Sequence, residues 1–592
     1  MRLEIINKEE AMMSSMFKED PVFKATPETV GSLVTAIHKG AIALPHFQRS
    51  FVWEPKRTIE LLKSVISRYP AGTLLTWEQS TEANFGYRTF EGVLPTDTKP
   101  RRLVLDGQQR LTSLYQALTG TGDHKFYMRV WPFIDEENYS LVPLEQVDLD
   151  SAIMANDISR RARQNPANEE WQIANGVFAI SEYDRLRPWF KKLVRYVRSD
   201  RERADRLEEL LHQFKDTYLQ PLESYAFPVV DLPMHTSLVA VCNIFETLNR
   251  SGKVLGPFEL LTAKFYPQQI HMRELWDAAK RDYPLLVEFQ VDPYSLLQAI
   301  CLRVHQSAQR YDVLNKLTAQ NIKQHWETVV AAAADVLDML KRECGAISVQ
   351  WLPYGMLLVP MTAVYPEIAQ LRSQVRAIAR DKLRQYYWCS IFTENYDQGA
   401  NSQAGADYRL LCKWVVGESD VAPEAVADFN LTDKDILSAR QNRKALYRGF
   451  MSLLIQLGAK DFTSAQAIAN VHTNDMKFDA IQVFPKSWLN SHENNPDSHG
   501  SELILNRLLV GQGTKKEIRD RPLGEYFAAQ DTGSQHKMAD ILASHLIDPD
   551  DHGGLMSLDY SLFLRDRLSS FVEEIENVTN QSIIYDSEAT GE

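Results

Sequence analysis

The stretch Arg101 to Gly120, RRLVLDGQQRLTSLYQALTG, limits what this chain can fold into more than any other. Leu103, Val104 and Leu105 make a short apolar run between polar residues, and Leu111, Leu114, Tyr115 and Leu118 fall at i, i+3, i+4 and i+7. The first pattern predicts a buried strand and the second an amphipathic helix. They meet at Asp106-Gly107-Gln108-Gln109-Arg110, where Gly107 can take a turn conformation closed to other residues. A helix start presents unpaired amides and about half a positive elementary charge, so Arg110 beside it makes a site for an anion such as phosphate. Asp106 can hold a divalent metal or orient a water. It can equally cap the helix, and the local pattern leaves both roles open.

Gly120 and Gly122 form a G-x-G that follows a helix and not a strand, which reads as a helix terminator and not a dinucleotide loop. No G-x-x-x-x-G-K-[ST] run occurs, so a P-loop NTPase is excluded on motif grounds. Upstream, Pro27 opens an expected helix capped by Thr26, with Val30, Leu33, Val34 and Ile37 on one face and Gly40 ending it. Ala41 to Trp53 reads as a strand or extended loop, 57 to 69 as a helix with Ile59, Leu62, Val65, Ile66 and Tyr69 on one stripe, and Thr73 to Trp77 as a strand. Downstream, strands at Phe126 to Trp131 and Val229 to Asp231 flank a charged helical insertion. Leu238, Val241, Phe245 and Leu248 then make a helix ending at Asn249-Arg250-Ser251-Gly252, and Pro257 opens the next. Asn249 and Arg250 there can act as a C-cap and a dipole-compensating cation. From about 270 to 460 the pattern is overwhelmingly helical. Val375, Ile378, Ala379, Leu383, Tyr386 and Tyr387 share a face with Trp388 beside them, an aromatic group expected to be core. Asn395 to Asp407 reads as a loop, and the last twenty residues as an acidic tail.

A chain of 592 residues implies several domains, because single cores rarely grow past about 250–300 residues. The net charge of −13 argues against a nonspecific nucleic-acid coat protein, though not against local basic patches. Arg160, Arg161 and Arg163 form one candidate for phosphate contact; in the run from Arg198 to Arg206 the acids Asp200, Glu202 and Asp205 offset the charge. Five widely spaced cysteines without a C-x-x-C pair indicate neither a zinc site nor a disulfide framework. With no signal-peptide apolar core and no apolar run able to span about 30 Å of hydrocarbon, a cytoplasmic protein without a membrane role is expected.

QRxxVW at Gln48 to Trp53, LDGQQRLTSL, FETLNRSG at Phe245 to Gly252 and FELLTAKFY at Phe258 to Tyr266, in this order, resemble the GmrSD family of modification-dependent restriction enzymes, which includes the phosphorothioate-sensing SspE proteins. The resemblance implies an α+β protein of three parts: a mixed α/β, ParB and sulfiredoxin-like domain over 1–235, a helical connector over 236–440, and a small HNH-like ββα module within helices over 441–592. It implies that the strand–DGQQR–helix corner binds and hydrolyses a nucleoside triphosphate with Mg²⁺ to gate recognition of double-stranded, modified phage DNA in anti-phage defence. Asp106 and Arg110 become the catalytic pair, with Asp106 the metal ligand, and Gln48, Arg49, Gly107, Gln108, Gln109, Asn249 and Arg250 contact the nucleotide. A homo-oligomer and a partner defence protein are further expectations.

The C-terminal stretch FDAIQVFPKSWL, followed by LILNRLLVGQGTKKEIRDRPLGEYF, resembles the HNH-type nuclease domain of the same family. The family has His immediately before its hydrophobic-Phe-Pro-Lys run, where this chain has Ile481 and Gln482; a glutamine amide cannot act as a base. Asn506-Arg507 is retained, but Thr514-Lys515 stands where the family has Thr-Asn, and a lysine there repels a metal. Asp479, His472, His492 and His499 lie nearby as possible substitutes. DNA cleavage is therefore doubtful, and the alternative is a non-cleaving, nucleotide-dependent sensor that works with a separate partner nuclease.

Overall fold

The computed structural model describes residues 23–48, 50–79, 85–95, 97–135, 137–157, 168–197, 201–248, 256–471, 478–491, 500–529, 532–548 and 554–585. The chain divides into two compact units, Met1–Met272 and Arg273–Glu592.

The first unit is built on a six-stranded mixed sheet. Its elements are β1 (Lys24–Thr29), α1 (Val30–His38), β2 (Ile42–Pro45), α2 (Pro55–Ile66), β3 (Leu74–Glu78), β4 (Tyr87–Arg88), β5 (Arg102–Asp106) and α3 (Gln108–Thr119). After these come β6 (His124–Arg129), β7 (Ile153–Asp157), β8 (Val177–Ala179), α4 (Leu186–Val197), α5 (Arg201–Phe214), β9 (Ala226–Leu232), α6 (Leu238–Leu248) and α7 (Pro257–Phe265). The strand order is β1-β9-β3-β5-β2-β4. β9 runs parallel to β3 and β5 parallel to β2, while β3 and β5 are antiparallel. Apolar β5, with Leu103, Val104 and Leu105 at 1% exposure or less, is central because it is covered on both faces. Its helix α3 buries Leu111, Leu114 and Tyr115, and left-handed Gly120 (φ 71°) ends it as expected of a terminator.

The helix expected from Pro27 is corrected. Residues 24–29 are an edge strand, with Thr26 opposite Val229, and the helix starts at Val30 under a Thr29 cap, Ser32 N donating to Thr29 Oγ1 at 3.3 Å. An edge strand tolerates a residue without an N–H, and its partner β9 lies two hundred residues away, outside any local pattern. The helix placed at 57–69 runs from Pro55 to Ile66, and Tyr69, expected on its stripe, is 64% exposed. The charged insertion is not merely a solvated surface: α4 buries Leu186, Trp189, Phe190, Leu193 and Val194, which join Phe214 and Phe178 in one core continuous with the sheet. On α5 the Arg206–Glu202 pair at 2.7 Å is exposed, as a solvated face requires.

The second unit is helical, its main members α8 (Pro293–His305), α9 (Ala319–Glu343), α10 (Leu358–Ala369), α11 (Ser373–Phe392), α12 (Ala400–Trp414) and α13 (Lys444–Gln456). Tyr386, Tyr387 and Trp388 on α11 are core, at 1% exposure or less, whereas Val375 and Ile378 of the expected stripe stand exposed near the helix start. The segment read as a loop at 395–407 is loop only to Gly399. α12 follows, and its Asp407 accepts hydrogen bonds from Tyr386 and Tyr396, each at 2.7 Å. Toward the C-terminus, β10 (Phe478–Gln482) pairs antiparallel with β11 (Arg507–Gly511), and α14 (Gln512–Ile518) follows directly. The long α15 (Tyr560–Thr579) packs through Phe563 into the core of this ββα module. The architecture is thus α+β, with a mixed sheet domain, a helical middle and a small ββα element among helices. No helix among the described residues is long and apolar enough to cross a membrane.

Candidate functional site

At the end of β5, Gly107 has φ +92°, and a Cβ there would stand 2.3 Å from Leu74 Cδ2. Only glycine lets the chain turn this closely over β3. The ladder between β3 and β5 shifts register between Leu75 and Thr76, opposite Asp106, as bulges do where a side chain is re-aimed. Asp106 does not cap α3: among the described residues its carboxylate pairs with Arg110 Nη2 at 3.2 Å, one turn along the helix. The other guanidinium nitrogen, Nη1, donates to Ala71 O at 2.9 Å. Arg110 passes so near left-handed Gly72 (φ +87°) that a Cβ there would lie 2.3 Å from Nη1. The guanidinium is thereby held in one orientation between a carboxylate and a carbonyl, with 18% of its side chain exposed against 36% for Asp106.

Two of the predicted glutamines, Gln48 and Gln109, serve the frame. Gln48 Nε2 donates to Leu105 O at 2.5 Å, and Gln109 takes the amide of Val52 at 3.0 Å while donating to Ser50 O at 3.2 Å. These bonds tie the Gln48 to Trp53 loop to both sides of the Gly107 corner. Gln108 is buried at 7% exposure, and its side-chain amide makes no hydrogen bond among the described residues. Arg49, Asn249 and Arg250 lie outside the described residues, as do Arg160, Arg161 and Arg163.

A cleft of about 430 Å³ opens beside Arg110. Lys56, Arg57, Glu60 and Ser64 of α2 line it with Trp53 and Ala71. With Arg110 paired to Asp106, Lys56 and Arg57 against Glu60 leave the lining net cationic, a field for anions. Lys56 and Arg57 escaped the sequence reading; the signal was present in two consecutive cations at the first turn after Trp53 and Pro55, where a helix also presents free amides. No group of three or more His, Cys, Asp or Glu able to hold a metal occurs among the described residues. Asp106 alone fits a Mg²⁺ that arrives with a ligand's phosphates, since such an ion needs only one or two protein carboxylates.

In the ββα module Asn506 is fully buried. It donates to Phe484 O (2.9 Å) and Ser501 O (3.1 Å) and accepts from Phe484 N (2.9 Å), clamping the ends of the hairpin. Gln482 donates to Ser501 O at 2.9 Å and accepts from Lys486 N at 3.1 Å. Asp479 is ion-paired to Lys515 of α14, so a lysine ammonium stands against the carboxylate. His472, His492 and His499 lie outside the described residues.

The glycine corner of the mixed sheet thus sets the Arg110 guanidinium, paired with Asp106, at the edge of a basic cleft. Residues 30–266 match the family model described as the GmrSD restriction endonuclease N-terminal domain, and the chain is similar to that domain over this span. Over nearly its full length it is also similar to a protein of Methanocaldococcus jannaschii, "Uncharacterized protein MJ0686", with 25% identity covering 93% of this chain and 97% of that one.

Proposed function

We propose that this is a restriction and anti-phage defence protein whose N-terminal domain binds and hydrolyses a nucleoside triphosphate at the Asp106–Arg110 corner, and that hydrolysis gates recognition of modified double-stranded DNA. The observation that carries the reading is the fixed guanidinium of Arg110 at the edge of a cleft with two further cations. A phosphoryl transfer asks the protein mainly for position and charge. Arg110, held by Asp106 and Ala71 O, meets the charge of the phosphates without reorganising, and Lys56 and Arg57 add to it. Asp106 keeps one carboxylate oxygen outside its pair with Arg110, and that oxygen orients the attacking water or holds Mg²⁺. Bound Mg²⁺ would supply charge neutralisation at the phosphates. Gln48 and Gln109 act through the loop they hold.

Phosphate release is measured for each nucleoside triphosphate with Mg²⁺, in parallel with nicking of modified and unmodified phage DNA. Asp106→Ala and Arg110→Ala are each expected to lower release by at least about a hundredfold. Release that survives both substitutions removes the nucleotide assignment. A second reading, a nucleotide-dependent sensor that leaves cutting to a partner nuclease, is favoured by Gln482 and by the Lys515–Asp479 pair. In that case hydrolysis proceeds while DNA stays intact.

A further inference from the structure

A cleft of about 720 Å³ in the second unit lies where α13 faces β10. Arg440, Lys444, Arg448 and Lys486 line it, along with Asp479 and Glu502. The acids do not balance those cations. Asp479 is paired by Lys515, and Glu502 by Arg507 at 2.6 Å, and neither Lys515 nor Arg507 lines the cleft. Among the described residues no carboxylate lies within ion-pair distance of Arg440, Lys444 or Lys486, and Arg448 donates only to the carbonyl of Leu352, at 3.1 Å. Four cations thus line one cleft with no carboxylate of their own among the described residues, which makes it attractive to an anion.

Arg440, Lys444 and Lys486 are exposed, and the wall behind them is held by hydrogen bonds. Lys444, Tyr447 and Arg448 share one face of α13 at i, i+3 and i+4. Ser452, one turn along the same face from Arg448, donates to Trp351 O at 2.8 Å, so the turn carrying Trp351 and Leu352 is fixed against this helix by two bonds. The Trp351 and Tyr447 rings lie 6.4 Å apart at 49°. Burial pushes the Tyr447 phenol up to about 12, so it remains a hydrogen-bond donor at neutral pH. Gln482, standing where a catalytic histidine would be, braces this wall through its bond from Lys486 N.

We propose that this cleft is a second anion site, one that takes a small phosphorylated ligand of nucleotide size with a flat ring. Its volume falls in the range of small-molecule sites, roughly 300–1,000 Å³, and its combination of cations, aromatic rings and amides suits a phosphate ester joined to a heterocycle. The site is independent of the corner at residues 106 to 110 and stands whether or not that corner binds a nucleotide.

The test uses the full chain carrying Arg110→Ala, titrated by equilibrium dialysis with the four ribonucleoside triphosphates, inorganic triphosphate and a ten-nucleotide single-stranded DNA. One-to-one binding of at least one triphosphate is expected. Arg440→Glu, Lys444→Glu and Lys486→Glu together are expected to weaken it by at least about tenfold, and none of these side chains carries an ion pair whose loss would unfold the unit. Lys515→Met, outside the cleft, exposes the Asp479 charge and is expected to weaken binding by about threefold. Absence of triphosphate binding, binding of the oligonucleotide alone, an unaltered affinity in the triple variant, or no effect of Lys515→Met would each overturn the proposal.

Discussion

Arg110 depends on two glycines in different ways, and substitution separates them. Gly107→Ala drives a methyl into Leu74 in a backbone conformation that costs an L-residue about 1–2 kcal/mol. Thermal melting is expected to show a loss of at least that size, along with lost phosphate release. Gly72→Ala meets instead the movable end of Arg110. Release is expected to fall tenfold or more while stability drops by only about 1–2 kcal/mol, the cost of the backbone conformation itself. His545 gives a pH signature. Burial holds its imidazole down to about 4, with Nε2 against Lys460 O at 2.9 Å and the ring stacked on Phe462. The unfolded chain protonates this group near pH 6.5 and the folded chain only near 4, so its stabilising contribution is complete above pH 6.5 and lost as pH falls toward 4. The loss is on the order of 3 kcal/mol. Melting temperature against pH should flatten in that window for His545→Gln; an unaltered slope shows that other groups set it.

At the scale of elements, local pattern was enough wherever an element's partners lie close in sequence or its apolar spacing is regular. β5 and α3 emerged with their glycine junction, α7 began at Pro257, and the helical stretch from 270 to 460 followed from its periodicity. β1 did not, because its strand form comes from pairing with β9. The ββα module was legible as a motif, but the state of its chemical positions was not. Lys515 reaches Asp479 because α14 returns along the hairpin, and Gln482 is bonded on both sides. Gln482→His alone is accordingly expected to leave supercoiled plasmid uncut with Mg²⁺ or Mn²⁺, since the ammonium still holds the carboxylate and repels a metal. Metal-dependent nicking by this single variant would show that the pair does not silence the module.

For the whole molecule, each unit has its own apolar core: the sheet and α4–α5 in the first, α10, α11 and α13 with their neighbours in the second. Residues 1–272 expressed alone are expected to melt cooperatively and to retain whatever nucleotide binding Arg110 supports, measured by calorimetric titration against the full chain. What the chain's order of residues determined by itself was local: the strand, the glycine turn, the helix behind it, and a carboxylate four residues from a guanidinium, all consequences of backbone preference and apolar period. Tertiary structure decided which groups that corner meets. It brought Ala71 O to Arg110, turned Gln48 and Gln109 into ties for a loop, and gathered Lys56 and Arg57 into the cleft. It also gathered four cations of the second unit along one cleft, whose two acids are paired with cations outside it. Charge and hydrogen bonding act through distances of a few ångströms, and those distances are set by packing between segments far apart in the chain.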